Sequence, residues 1–172
     1  MGSGRNIVIA VDDSPASKQA FDWAVKKLIM PVDSVKVVSV IDPAERPALL
    51  APGGVAIEIH NDECKPDQKQ LDRRTKMMKE YESMLKKRGA SGVSTRAIVG
   101  CIGTSYDHGR HICEFAQENN ADMIIIGSRG MGSFSKNILG MFGLGSVSSF
   151  VAHHATVPNI LIHKYQKEQP GN

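Results

Sequence analysis

Apolar residues along the chain fall into two kinds of run. Five are short and nearly continuous: Asn6-Ile-Val-Ile-Ala-Val11, Val35-Lys-Val-Val-Ser-Val-Ile41, Val93-Ser-Thr-Arg-Ala-Ile-Val99, Ala121-Asp-Met-Ile-Ile-Ile126 and Pro158-Asn-Ile-Leu-Ile-His163. Most lack the polar alternation of a half-exposed sheet and are rich in β-branched residues, which predicts strands covered on both faces. Between them apolar positions recur at helical spacing. Ala20, Phe21, Ala24, Val25 and Leu28 mark a helix over 17–28, with Ser14 as its cap and Pro15 at its first position. Leu71, Met78, Tyr81 and Leu85 mark a second over 70–88, stopped by Gly89. Segments 111–118, halted by Asn119-Asn120, and 147–154 complete the set. Trp23 falls beside the first stripe and is read as packing.

Strands alternating with helices in this way specify a doubly wound α/β domain with a five-stranded parallel sheet. Such sheets bind ligands outside the carboxyl ends of their strands, so the loops after Val11, Ile41, Val99 and Ile126 are the ones to inspect. Residues 42–69 break the pattern with Pro43, Pro47, Pro52, Gly53, Gly54 and Pro66, and read as a long connection with a strand-like piece at 55–59. Residues 1–5 read as a disordered N-terminal segment or cloning remnant, 6–164 as the domain and 165–172 as a polar tail.

Composition narrows the function. The 172 residues fit one domain with a core of its own, 41% apolar and 23% charged. A net charge of +3, with Lys and Arg interleaved among Asp and Glu, and only 5% aromatic residues argue against nucleic-acid binding. No apolar span is long enough for a membrane helix and no secretory leader is evident. The three cysteines, Cys64, Cys101 and Cys113, have no CxxC spacing, so unpaired thiols in a reducing cytoplasm are expected.

The loops hold the chemistry. Asp12 follows the first strand, Gly100 the third, and Gly127, Arg129 and Gly130 the fourth. A carboxylate on one loop with glycines and a cation on another complements a nucleotide, with Ser146 and Ser148 adding hydroxyls where a helix dipole is positive. The same glycines also suit an ordinary turn, and Ser146 a plain cap. Neither a Gly-x-Gly-x-x-Gly fingerprint nor a Walker A run is present. His108, His111 and Cys113 lie close in sequence but make too few ligands for a zinc site, and no nucleophile elbow occurs.

With these residues assembled, the chain resembles the universal stress proteins. The strings that carry the likeness are Ile7-Val-Ile-Ala-Val-Asp12 with Ser14, Ser39-Val-Ile-Asp42, Ile126-Gly-Ser-Arg-Gly130, Gly145-Ser-Val-Ser148 and Val157-Pro-Asn-Ile-Leu-Ile162. The resemblance implies a Rossmann-like domain related to the adenine-nucleotide alpha-hydrolases, a homodimer paired through Asn159 to His163, and a role in stress response rather than efficient catalysis. It also implies ATP, with or without Mg²⁺, held by Ala10, Val11, Asp12, Val40, Ile126, Gly127, Arg129, Gly130, Gly145, Ser146, Val147 and Ser148. Asp12 and the Val40 backbone would meet the adenine, Gly127 and Gly130 the ribose and phosphates, and Gly145 to Ser148 the phosphate tail. No residue stands out as a general base, so slow ATP hydrolysis is the most that the likeness allows.

One departure matters. The family spacing Gly-x2-Gly-x9-Gly followed by Ser or Thr lands on Gly140, but Met141 follows it, while Gly145-Ser146 lies five residues late. Gly145 is taken as the third glycine and 131–144 as an enlarged flap, tolerable because loop length costs little closure entropy. The alternative is a family member that binds no ATP and acts as a dimeric interaction module. An adenylating enzyme of the wider group is disfavoured, since Asp12-Asp13-Ser14-Pro15 stands where Ser-Gly-Gly-x-Asp-Ser would be needed.

Overall fold

The computed structural model describes residues 4–45, 64–128 and 146–163. In chain order they form β1 (Asn6–Ala10), α1 (Pro15–Trp23) continued by a π-helical turn (Ala24–Leu28), β2 (Ser34–Ile41), α2 (Gln68–Arg88), β3 (Gly92–Val99), α3 (Ser105–Glu118), β4 (Met123–Ser128), α4 (Ser146–His154) and β5 (Asn159–His163). The strands make one parallel sheet in the order β3-β2-β1-β4-β5. Winding runs outward from β1 through β2 to β3, then crosses to β4 and β5, so its direction switches between β1 and β4.

Side-chain parity sorts the core into two layers. Ile7, Ile9 and Val11 join Val35, Val37 and Ile125 under Phe21 and Ala24 of the first helix and Met78, Tyr81 and Leu85 of α2. Val8 and Ala10 join Val38, Val40, Ile124 and Ile126 under Ile112, Phe115 and Ala116 of α3 and Val151 of α4. Apolar neighbours on both faces are why the strands show no polar alternation. Phe21 and Tyr81 stack with centroids 3.7 Å apart, joining α1 to α2. Trp23 lies beside this stripe and is 36% exposed.

Local chemistry sets the helix ends. The Ser14 hydroxyl accepts from the Ser17 amide, with Pro15 opening α1. Asp67 caps α2, and Gly89, at φ 90°, ends it in the left-handed conformation that glycine reaches without a Cβ penalty. α3 differs from expectation: it begins at Ser105, capped by Thr104, rather than at His111. Gly109 hides the helix from a propensity reading, yet its missing side chain is what lets α4 approach. A Cβ there would lie 2.5 Å from the Phe150 ring.

The connection after β2 is closed at its base. Pro43 and Pro66 form an antiparallel bridge, and Ala44 N–H donates to the Lys65 carbonyl at 2.8 Å. The strand-like piece proposed at 55–59, the flap at 131–144 and the tail lie outside the described residues. The cysteine expectation is corrected: Cys64 and Cys101 are joined by a disulfide, leaving Cys113 free and half-buried. A separation of 37 residues hid this pair from spacing rules, but folding brings the end of the long connection against the turn after β3. Closing a loop of that size stabilises by about 2–4 kcal/mol.

One buried ion pair ties the strand starts together. Asp33, 1% exposed, accepts from Arg5 Nε at 3.0 Å, Arg5 Nη2 at 2.7 Å and the Met30 amide at 2.8 Å. Burial opposes its charge, but the Arg5 guanidinium and the Met30 and Arg5 amides outweigh that and hold the carboxyl below its ordinary value. Its stabilising effect is therefore fully present above about pH 4 and is lost as pH falls through the lower, folded-state value. We expect Asp33→Asn to cost about 2–3 kcal/mol in urea denaturation at pH 7, with the gap from wild type narrowing as the pH is taken below 4.

Candidate functional site

A cavity of about 330 Å³ opens at the carboxyl ends of β1, β2 and β4, beside the switch in winding. Its floor is apolar: Ala10 and Val11 at the end of β1, Val40 of β2, and Ile126 with Gly127 of β4. Asp12 stands over it, and Ser146, Val147 and Ser148 bring in the first turn of α4. Nine of the residues named from the sequence thus share one cavity: Ala10, Val11, Asp12, Val40, Ile126, Gly127, Ser146, Val147 and Ser148. Arg129, Gly130 and Gly145 lie outside the described residues.

Three helix N-termini converge here. α1 contributes Ser14, Ala16 and Ser17, α3 contributes Gly103, Thr104 and Ser105, and α4 begins at Ser146. The Ser146 hydroxyl meets that of Ser105 at 2.6 Å, coupling the starts of α3 and α4. Each N-terminus carries a partial positive charge, with Ser14 and Thr104 capping one amide each of α1 and α3, an arrangement that suits an anion. Only α4 was anticipated in this role, because the start of α3 was placed six residues too late.

Asp12 is held in place from both sides. Its amide donates to the Ser17 hydroxyl at 2.8 Å, and its Oδ1 accepts from the Ser14 amide at 2.9 Å. Its other carboxylate oxygen has no hydrogen bond among the described residues, so it can accept from a ligand. Asp42 is held by Gln70, which accepts from its amide at 2.6 Å and donates to its Oδ2 at 3.2 Å. Asp42 Oδ1 lies 3.2 Å from His108 Nε2, within ion-pair reach but not aligned as a hydrogen bond.

Two further residues line the cavity: Arg74 of α2, which sequence reasoning passed over, and His108 of α3, which it weighed only as a metal ligand. Arg74 is 6% exposed, and its Nη2 lies 3.1 Å from Asp13 Oδ1. The available signal was an arginine among lysines on a solvated-looking helix, which spacing could not separate from a surface charge. The triplet His108, His111 and Cys113 is not gathered. His108 turns to Asp42, while His111 Nε2 lies 3.1 Å from Arg110 Nη2, where burial and that guanidinium push its pKa down. Among the described residues no group of three metal-ligating side chains occurs.

The two candidate glycines have packing duties. A Cβ on Gly100 would come within 2.8 Å of the His108 ring and 3.0 Å of the Asp107 carboxylate, so those side chains would have to shift to admit one. A Cβ on Gly127 would lie 2.5 Å from the Ala16 carbonyl oxygen and 2.8 Å from the Ser17 nitrogen. Backbone cannot yield as a flexible side chain can, so Gly127 is what allows the end of β4 to lie against the start of α1. We expect Gly127→Ala to lose about 1–3 kcal/mol in urea denaturation without any ligand; a glycine serving only a bound molecule would leave the unliganded protein unchanged.

The sequence profile of the universal stress protein family matches residues 4–163. Two curated relatives from Arabidopsis thaliana are similar along the chain: universal stress protein PHOS32, 30% identical over 99% of this chain and 69% of its own length, and universal stress protein PHOS34, 28% identical over 99% and 65%. The chain therefore spans about two thirds of each relative. Among solved structures, the universal stress protein UspA from Lactobacillus plantarum superposes with a TM-score of 0.62 at 19% identity, covering 94% of this chain and 99% of that one. The universal stress protein from Archaeoglobus fulgidus in complex with dAMP gives 0.55 at 21%, covering 93% and 98%, and a universal stress protein in complex with cAMP gives 0.56 at 19%, covering 94% and 99%. At these identities the structures speak for the fold, whereas the profile spans nearly the whole described chain: it belongs to the universal stress protein family.

Proposed function

We propose that the cavity binds ATP and that the protein is a dimeric, nucleotide-responsive regulator of the stress response. The observation that carries this is the convergence of three helix N-termini on a cavity that also holds Asp12. A ligand with an anionic tail and a donor-bearing head satisfies both at once: the tail against Gly127 and the Ser146 to Ser148 turn, the base over Val40 within reach of the free oxygen of Asp12. The volume lies at the small end of the roughly 300–1,000 Å³ usual for small-molecule sites. The dAMP and cAMP complexes of proteins with this fold support an adenine nucleotide. Mg²⁺ would accompany the phosphates, and the role is regulatory rather than that of an efficient enzyme.

A cytoplasmic setting, with no nucleic-acid or membrane partner, belongs to the same reading. Among the described residues no helix is long and apolar enough to cross a membrane. β5 ends the sheet with no strand beside its outer edge among the described residues, and Ile160 to Ile162 are only half-buried there. An open edge with apolar side chains is suited to pairing with a second copy. The displaced Gly145-Ser146 favours one rival reading, a dimeric module that binds no ATP.

Thermal unfolding separates the two. At a hundredfold excess over Kd, ATP with Mg²⁺ stabilises by about 2.7 kcal/mol, which raises Tm by roughly 5–10 °C in a chain of this size. We expect that shift in the wild type and at least a tenfold weaker affinity in Asp12→Ala by calorimetry; an unmoved wild-type Tm would favour the module. Light scattering after size exclusion should give twice the chain mass, and a monomer at tens of micromolar would exclude the edge-strand dimer.

A further inference from the structure

Arg74 is the feature of the cavity that the nucleotide reading leaves unexplained. The side chain is almost wholly buried and lines the cavity. Its Nη2 is held by Asp13, which Arg73 also approaches at 3.8 Å. Its Nε and Nη1 are buried and have no hydrogen-bond acceptor among the described residues. Charged donors left unpaired away from water are costly, so this guanidinium is one acceptor short, and the cavity is where that acceptor can enter.

The charges around it decide what the acceptor is. Across the mouth, the sheet order places the β2 side, with Asp42 and Arg74, at one end, Asp12 in the middle, and the β4 side, with Gly127 and the start of α4, at the other. Asp13 sits on the guanidinium itself and Asp42 and Asp12 line the adjoining wall, so a phosphate brought to Arg74 would approach three carboxylates against two permanent cations, Arg74 and the more exposed Arg73. The other end offers amides and hydroxyls, with no carboxylate among the described lining residues there. Phosphate belongs at the α4 end. The end that holds Arg74 suits a neutral acceptor on a flat ring lying over Val40.

We propose that Arg74 reads the nucleobase. It keeps Asp13 on Nη2 and, by a small rotation of its planar head, donates a second N–H to a ring nitrogen of the purine, while the carboxylates take the exocyclic amine. This rests on the nucleotide reading above and deepens it: Arg74 makes the site selective for purines that carry an acceptor on that edge. It is a specificity residue and touches no phosphate.

Calorimetry on the full chain tests this. Adenosine 5′-monophosphate, adenosine, and the 1-deaza, 3-deaza and 7-deaza monophosphates would be titrated into wild type, Arg74→Met and Arg74→Lys, the last retaining charge without the planar fork. We expect one deaza compound to bind the wild type about tenfold more weakly than the parent nucleotide, and that discrimination to vanish in Arg74→Met, and in Arg74→Lys should Met prevent folding. The ratio of monophosphate to adenosine affinity should stay constant across all three proteins. A ratio that collapses in the variants would put the guanidinium on the phosphate and overturn the proposal. Undiminished deaza discrimination in the variants, or equal binding of all three deaza compounds by the wild type, would overturn it as well. A wild type that binds neither the monophosphate nor adenosine would remove the nucleotide reading itself, and this inference with it.

Discussion

The structure depends on the burial of β1 from all sides. It is paired on one edge with β2 and on the other with β4, and its alternate side chains enter two separate apolar layers. Ile7, Val8 and Ile9 are at most 1% exposed, and burying side chains of this kind contributes about 1.5–3 kcal/mol apiece. A strand so enclosed leaves its backbone free only at its ends. The cavity forms where β1 runs out at Ala10, because the helices on either face return to strands on opposite sides of it.

That placement explains the electrostatics of the site. In a parallel sheet every helix that follows a strand starts at the carboxyl edge, so its positive end faces the same rim. The apolar floor and the dipoles are generic to the fold. Individual side chains add the charges set on top: Asp12 locked by Ser14 and Ser17, Asp42 locked by Gln70, and Arg74 reaching in from α2. The Cys64–Cys101 bond ties the end of the long connection to the turn before α3, next to Gly103 and Thr104 of the cavity wall. The segment that delivers α2, and with it Arg74, is thereby fastened to the opposite wall.

The glycines show where reading a chain by residue type reaches its limit. Gly127 and Gly100 attract attention as glycines near a ligand, yet Gly127 lies where two backbones nearly touch and Gly100 where the His108 and Asp107 side chains crowd the chain. Gly109 draws attention for the opposite reason, as an apparent break in a helix that in fact runs on through it. For Gly127 and Gly109 the deciding contact comes from a residue remote in sequence, Ala16 or Phe150, and local propensity contains no trace of it.

What the sequence by itself determined is the set of elements and their class. Five β-branched runs, mostly without polar alternation, point to a parallel sheet covered on both faces, and the caps Ser14-Pro15 and Gly89 set helix ends through chemistry confined to a few residues. It also singled out Asp12, Gly127 and Ser146, because the carboxyl ends of strands are where such folds open. The pairing of Cys64 with Cys101, the packing of Gly109 against Phe150, and the presence of Arg74 and His108 in the cavity were decided by tertiary structure alone. Each depends on how far one helix slides along the sheet before its side chains interlock. That displacement is set by packing across the whole domain, not by any local pattern.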